Sequence, residues 1–251
     1  MKENGVLKIF TARACAAPLK EAAPLFERQT GIRVEVAECN RHCAAAVAEE
    51  AVGQQGSHDF LVEIAEDGIY DLAISGADYL LDDGEVRGIV QKRERRLIAY
   101  RRSAIAVPSG NPAGIRVIRD LAKPGVRVAV SVLDCLKGLW EDVAARLGLA
   151  EQIRRNITFH ANGCVAIVEA VAQRKVDAAI GWNAFAHLAK GRIEIVETPR
   201  EQQVWRGTSV ALLSTSSTPD SARRLMDFLC TPESRACYEK YGWVSPDKAG
   251  G

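Results

Sequence analysis

Apolar and polar positions alternate in two rhythms along these 251 residues, and the rhythms take turns. "VLKIF" at 6–10 predicts a strand, and "AAPLKEAAPLFERQTG" after it carries apolar residues at helical spacing until Gly31. "IRVEVAE" predicts a second strand and the Ala-rich "CAAAVAEEAVGQQG" a second helix, while "FLVEIAEDG" fits either period and "YDLAISGA" reads as a strand. A long extended segment, "RRLIAYRRSAIAVPSGNP", is closed by turn residues. The alternation then restarts: helix "IRVIRDLAKPG", strand "VRVAVSV", helix "CLKGLWEDVAARLG", then "ITFHANG", helix "CVAIVEAVAQRK", strand "VDAAIGW" and helix "NAFAHLAKG". Strands "IEIVETP" and "TSVALLS" follow, and "PDSARRLMDFLCTPESRACYEKYGW" is expected as one closing helix.

Alternating strands and helices imply an α/β fold with mostly parallel sheets flanked by helices. The rhythm stops around 95–108, and a second long extended piece lies at 193–214. Two such crossings predict one lobe of residues 1–99 plus 208–251 and a second of 100–207, joined by a two-strand hinge.

The chain is 47% hydrophobic and 26% charged, enough to bury real cores. Lys+Arg 33 against Asp+Glu 32 leaves +1, so global charge recruits neither nucleic acid nor an acidic membrane. The one basic run, "QKRERRLIAYRR", reads as a solvated face around a strand. No apolar run reaches 18 residues. "VLKIF" starts a predicted strand five residues after Met1, so no signal peptide is visible in this sequence. A periplasmic or extracellular location is expected if an export signal has been trimmed, with a cytoplasmic one left open.

Seven cysteines change this picture. Cys15, Cys43, Cys135 and Cys164 each follow a predicted strand and open a predicted helix. In open α/β sheets ligands bind at that edge, and a helix amino terminus favours anions and thiolates. Cys230 and Cys237, seven apart among Leu225, Phe228, Leu229 and Tyr238, read as core or partly buried thiols.

Along nearly its whole length the chain resembles the periplasmic molybdate-binding proteins, type II solute-binding proteins of ABC transporters. The resemblance is carried by "LKIFTARACAAPLKEAAPLFERQTGIRVEV", "YDLAISGADYLLDDGEV", "IAVPSGNP", "VDAAIGWNAF" and "FLCTPESRACYEKYGW". It implies the two-lobe periplasmic-binding-protein fold (type II), a membrane permease as partner, a monomer, no enzymatic activity and an oxyanion held between the lobes. In that family two serines, backbone N–H groups and a tyrosine hold the oxyanion. Cys15 and Cys43 take the serine positions, Cys135 and Cys164 fall in the second-lobe segments, and Trp182 stands at the tyrosine.

Four thiolates would repel a free oxyanion and suit a soft metal or an iron–sulfur cluster instead. An iron–sulfur cluster, [4Fe–4S], on Cys15, Cys43, Cys135 and Cys164 is therefore the first expectation. A soft or borderline ion such as zinc, copper(I) or arsenite comes next, then an oxyanion or thio-oxyanion. Cys39 and His42 are alternative ligands or supports for Cys43; Asn162, Trp182 and Asn183 are candidates for lining the site. No G-x-S-x-G, G-x-x-x-x-G-K-[ST], G-x-G-x-x-G or H-E-x-x-H motif points to an enzyme. A transport component is expected, with a ligand sensor of the same fold as the other reading.

Overall fold

Two apolar runs near the start of the chain pair first. In a computed structural model, β1 (Val6–Thr11) lies parallel to β2 (Arg33–Glu38), with α1 (Arg13–Thr30) crossing between them. The structure describes residues 5–39 and 60–249, so the helix expected over 43–56, with His42 and Cys43, lies outside the described residues. Gly31 adopts φ +76°, a left-handed conformation cheap only for glycine, and its N–H bonds back to the Glu27 carbonyl to end α1.

The chain divides into two units, one of residues 5–39, 60–100 and 206–249 and the other of Arg101–Trp205. In the first, β3 (Leu72–Ile74) pairs parallel to β1, and β9 (Trp205–Leu213) pairs antiparallel to β3. The first part of β4 (Val90–Pro108) completes the order β2-β1-β3-β9-β4. The ambiguous stretch is a helix, α2 (Phe60–Asp67), followed by α3 (Asp78–Val86), which the sequence reading had not assigned. The closing helix breaks in two, α7 (Pro219–Leu229) and α8 (Pro232–Glu239). Thr231 causes the break by accepting the Ser234 N–H, with Pro232 in the first helical turn where its missing N–H costs nothing. A short α9 (Pro246–Ala249) follows.

In the second unit the latter part of β4 pairs antiparallel to β7 (Ala178–Trp182) and β8 (Ile193–Val196). β5 (Val128–Val130) lies parallel to both β7 and β6 (Ile157–His160). The helices are α4 (Leu139–Ala145), α5 (Ala150–Asn156) and α6 (Cys164–Ala172). Two expected helices shrink to 3-10 turns at Ile118–Ala122 and Asn183–His187, and a third divides into a 3-10 turn at Asp134–Leu136 and α4. "CLKGLWEDVAARLG" fails as one helix because Gly138 sits at φ +70° before α4, so helical geometry resumes only at Leu139. Among the described residues no helix is long and apolar enough to cross a membrane.

The second unit's core is close-packed around β7. At Gly181 the absent Cβ is filled by the Phe185 ring, whose Cε2 would stand 2.2 Å from an added methyl, and Phe185 is fully buried. Gly181→Ala is expected to destabilise the protein by about 1–3 kcal/mol through overpacking. Denaturant unfolding of the variant against wild type checks this; an unchanged midpoint would remove the close approach.

Candidate functional site

Parallel pairing delivers the second unit's cysteines together. β5 and β6 end side by side, with Val130 opposite His160, and β7 runs parallel on the other flank of β5. Their carboxyl ends lead to Cys135, Cys164 and Trp182 in turn. The Cys135 and Cys164 sulfurs stand 3.6 Å apart. Cys135 lies in the 3-10 turn, not at a helix amino end as expected, whereas Cys164 is the first residue of α6.

Ser131, which the sequence reading passed over, ties the two turns. Its buried hydroxyl oxygen accepts the N–H of Leu133 at 3.2 Å and of Gly163 at 3.3 Å. Each such bond is worth about 0.5–1.5 kcal/mol net. Two backbone conformations set the thiols in place. Asp134 takes φ +44°, a left-handed position that Asp tolerates better than most side chains, and Gly163 takes φ +92°, where a side chain would be strained.

Arg101 is the larger omission. It belongs to the run read as a solvated face, yet it is 0% exposed. The cause is strand register. Ser103 sits opposite Trp182, so Arg101, two residues earlier on the same face, reaches diagonally across to the indole. Its guanidinium carbon lies 4.7 Å from the Trp182 ring centroid, a cation–π contact in a dry setting. Beside it, the Asn183 side-chain oxygen accepts the Arg102 N–H at 3.3 Å, so Asn183 holds β4 in place. Asn162 is half-buried in the turn before α6.

This surrounding makes the two thiols unequal. The Cys164 thiol donates to Cys135 and the Arg101 guanidinium lies beside it, holding the Cys135 thiol down at about 6 against burial and the nearby Asp134. Cys164, as the donor in that bond and under the cost of burial, keeps its proton well above the ordinary thiol range. Cys230 and Cys237 are pushed up, chiefly by burial. Of these two pairs, Cys135–Cys164 is the one prepared to present a thiolate at neutral pH.

In the first unit Cys15 is the third residue of α1 and fully buried. Cys39, directly after β2, accepts the Arg13 N–H on its sulfur at 3.4 Å, capping α1 where Ala12 has no side chain able to do so. Of the first-lobe thiols weighed for the ligand, Cys39 is thus described at a helix amino terminus, while Cys43 and His42 are not described. Among the described residues no group of three or more His, Cys, Asp or Glu side chains is placed to hold a metal ion. A cavity of about 410 Å³ in the first unit, lined by Val6, Ile32, Thr218, Asp220 and Ser221, lies at the start of β1, away from the strand ends that carry cysteines.

A thiolate titration tests the electrostatics. In the ligand-free protein, the ultraviolet thiolate absorbance that is lost in Cys135→Ser is expected to rise with a midpoint below the ordinary thiol range. Arg101→Gln removes the positive charge that favours the thiolate, so the midpoint should move upward; an unmoved midpoint would rule out the guanidinium as a cause.

Residues 7–244 match the family of bacterial extracellular solute-binding proteins. No curated protein matches the chain. The sulfate-binding protein SubI from Mycobacterium tuberculosis H37Rv aligns with a TM-score of 0.79 at 15% identity, over 98% of this chain and 88% of that one. A periplasmic molybdate-binding protein from Azotobacter vinelandii aligns at 0.73 and 19%, over 96% and 99%. Iron-bound HitA from Pseudomonas aeruginosa aligns at 0.65 and 17%, over 94% and 84%. At such identities the likeness shows the fold alone, the mixed α/β fold of type II periplasmic binding proteins. Since the family match spans nearly all of it, the chain belongs to the bacterial extracellular solute-binding proteins.

Proposed function

We propose that this protein is the solute-binding component of an ABC-type transport system, delivering to a membrane permease a small thiophilic inorganic ligand held by Cys135 and Cys164. The observation that carries the ligand class is the pair of sulfurs 3.6 Å apart. Family membership supports the transport role and a periplasmic or extracellular site of action. Relatives of the same fold are a molybdate-binding protein, a sulfate-binding protein and an iron-bound protein, so the fold accepts inorganic ligands of differing charge.

The sulfur separation favours one centre over a cluster. Two thiolates on a single tetrahedral ion, each at about 2.3 Å, stand about 3.8 Å apart. In a cube-shaped iron–sulfur cluster each cysteine takes a different iron, which spreads the sulfurs further than one tetrahedral edge. A free oxyanion such as molybdate fits poorly, since a thiolate repels it and a thiol is a weak hydrogen-bond donor.

Binding of Cd²⁺ and of sodium arsenite, each offered separately to the reduced protein, tests the reading. Cys135→Ser and Cys164→Ser are each expected to weaken binding at least about tenfold, as loss of one of two metal-bonding atoms requires, whereas Cys230→Ser should leave it unchanged. If neither probe depends on the pair, the reading fails. Iron with acid-labile sulfide in anaerobically purified protein would replace it with the cluster.

A further inference from the structure

We infer that Cys135 and Cys164 form a reversible dithiol–disulfide couple, by which an external disulfide switches ligand binding off and an external thiol switches it on again. This rests on the two-thiol reading above and names the regulation of that site. Separation, anchoring and access each support it.

The two sulfurs stand 3.6 Å apart, against about 2.05 Å in a disulfide. Small rotations about the two Cα–Cβ bonds cover that difference. Cys230 and Cys237 are directed elsewhere: their sulfurs donate to the Leu97 and Glu233 carbonyls, at 3.4 and 3.8 Å.

Anchoring comes from one atom. The Ser131 hydroxyl oxygen accepts the N–H of Leu133, two residues before Cys135, and the N–H of Gly163, directly before Cys164. The cysteines are 29 residues apart in the chain, and closing such a loop costs entropy. Here the fold meets that cost before any sulfur–sulfur bond forms.

Access is unequal. Cys135 is buried and Cys164 half-buried, so an external disulfide meets Cys164 first. The extracellular setting of the family is one in which disulfides form and persist. Oxidation and ligand binding then exclude each other, because a metal is bonded by thiolates and a disulfide has none to offer.

The step is thiol–disulfide exchange. The Cys164 sulfur attacks the external disulfide, whose S–S bond breaks, and a mixed disulfide forms as one thiolate leaves. The Cys135 sulfur then attacks Cys164, the mixed disulfide breaks, and the second thiolate leaves. Each departing thiolate takes up one proton given by the pair. The chain loses two electrons and the external disulfide gains them.

The experiment uses the full wild-type chain, reduced and then equilibrated with oxidised glutathione. After gel filtration, digestion and mass spectrometry should show a peptide joining Cys135 to Cys164. Cd²⁺ should bind the oxidised protein at least about a hundredfold more weakly than the reduced protein, as loss of two metal-bonding atoms at about tenfold each requires. Treatment with dithiothreitol, followed by its removal, should restore binding. Cd²⁺ at a hundred times its Kd should slow oxidation of the pair about a hundredfold, since about one chain in a hundred is then free. Cys230→Ser should oxidise like wild type. Absence of the linked peptide, a link from either cysteine to Cys39 or Cys43 in its place, or oxidation that Cd²⁺ does not slow would each overturn the couple; pair-dependent Cd²⁺ binding to the reduced protein would then still stand. Reduced protein whose binding of Cd²⁺ and arsenite does not depend on the pair would overturn the two-thiol reading and the switch together.

Discussion

A guanidinium removed from water governs the second unit. Taking a cation out of water costs several kcal/mol even after relaxation, and Arg101 is wholly buried. Beside it, among the described residues, stand a π face in Trp182 and a thiol that ionises readily in Cys135. Each of these depends on the others. Without the guanidinium the thiolate loses its counter-charge, and without the indole the guanidinium loses the surface that orients it. The strand register of β4 against β7 and the parallel alignment of β5, β6 and β7 bring these groups to one edge.

Much of the architecture was legible in the hydrophobic pattern, because alternating strand and helix periods leave few ways to cover a sheet. The pattern failed where local backbone overrides periodicity. Gly138 and Asp134 at positive φ, and Pro232 after a capping Thr231, interrupt runs whose apolar spacing is still helical. Those interruptions moved Cys135 off a helix terminus and onto a turn. Cys164 stayed where its context implied, at the start of α6.

The site was legible in its thiols and not in their partners. Strand–cysteine–helix order is a one-dimensional signal, and it singled out Cys135 and Cys164. Arg101 carries no such signal: in "QKRERRLIAYRR" its neighbours Arg95, Arg96 and Arg102 make exposed or half-exposed ion pairs, and only the cross-strand neighbour Trp182 separates it from them. Ser131 was hidden for the same reason, since one of its two bonds reaches a turn 32 residues further along the chain.

Chain geometry gives the 19-residue strand β4 a further consequence. Side chains along a strand alternate faces with period two. One residue inserted or deleted between Val90 and Tyr100 would leave that stretch paired but turn the next side chain the other way. To keep Arg101 on the indole, such a change would need a compensating bulge before it. The length of this segment should therefore vary among descendants of this sequence only in pairs of residues, while the outer loops remain free to change by one.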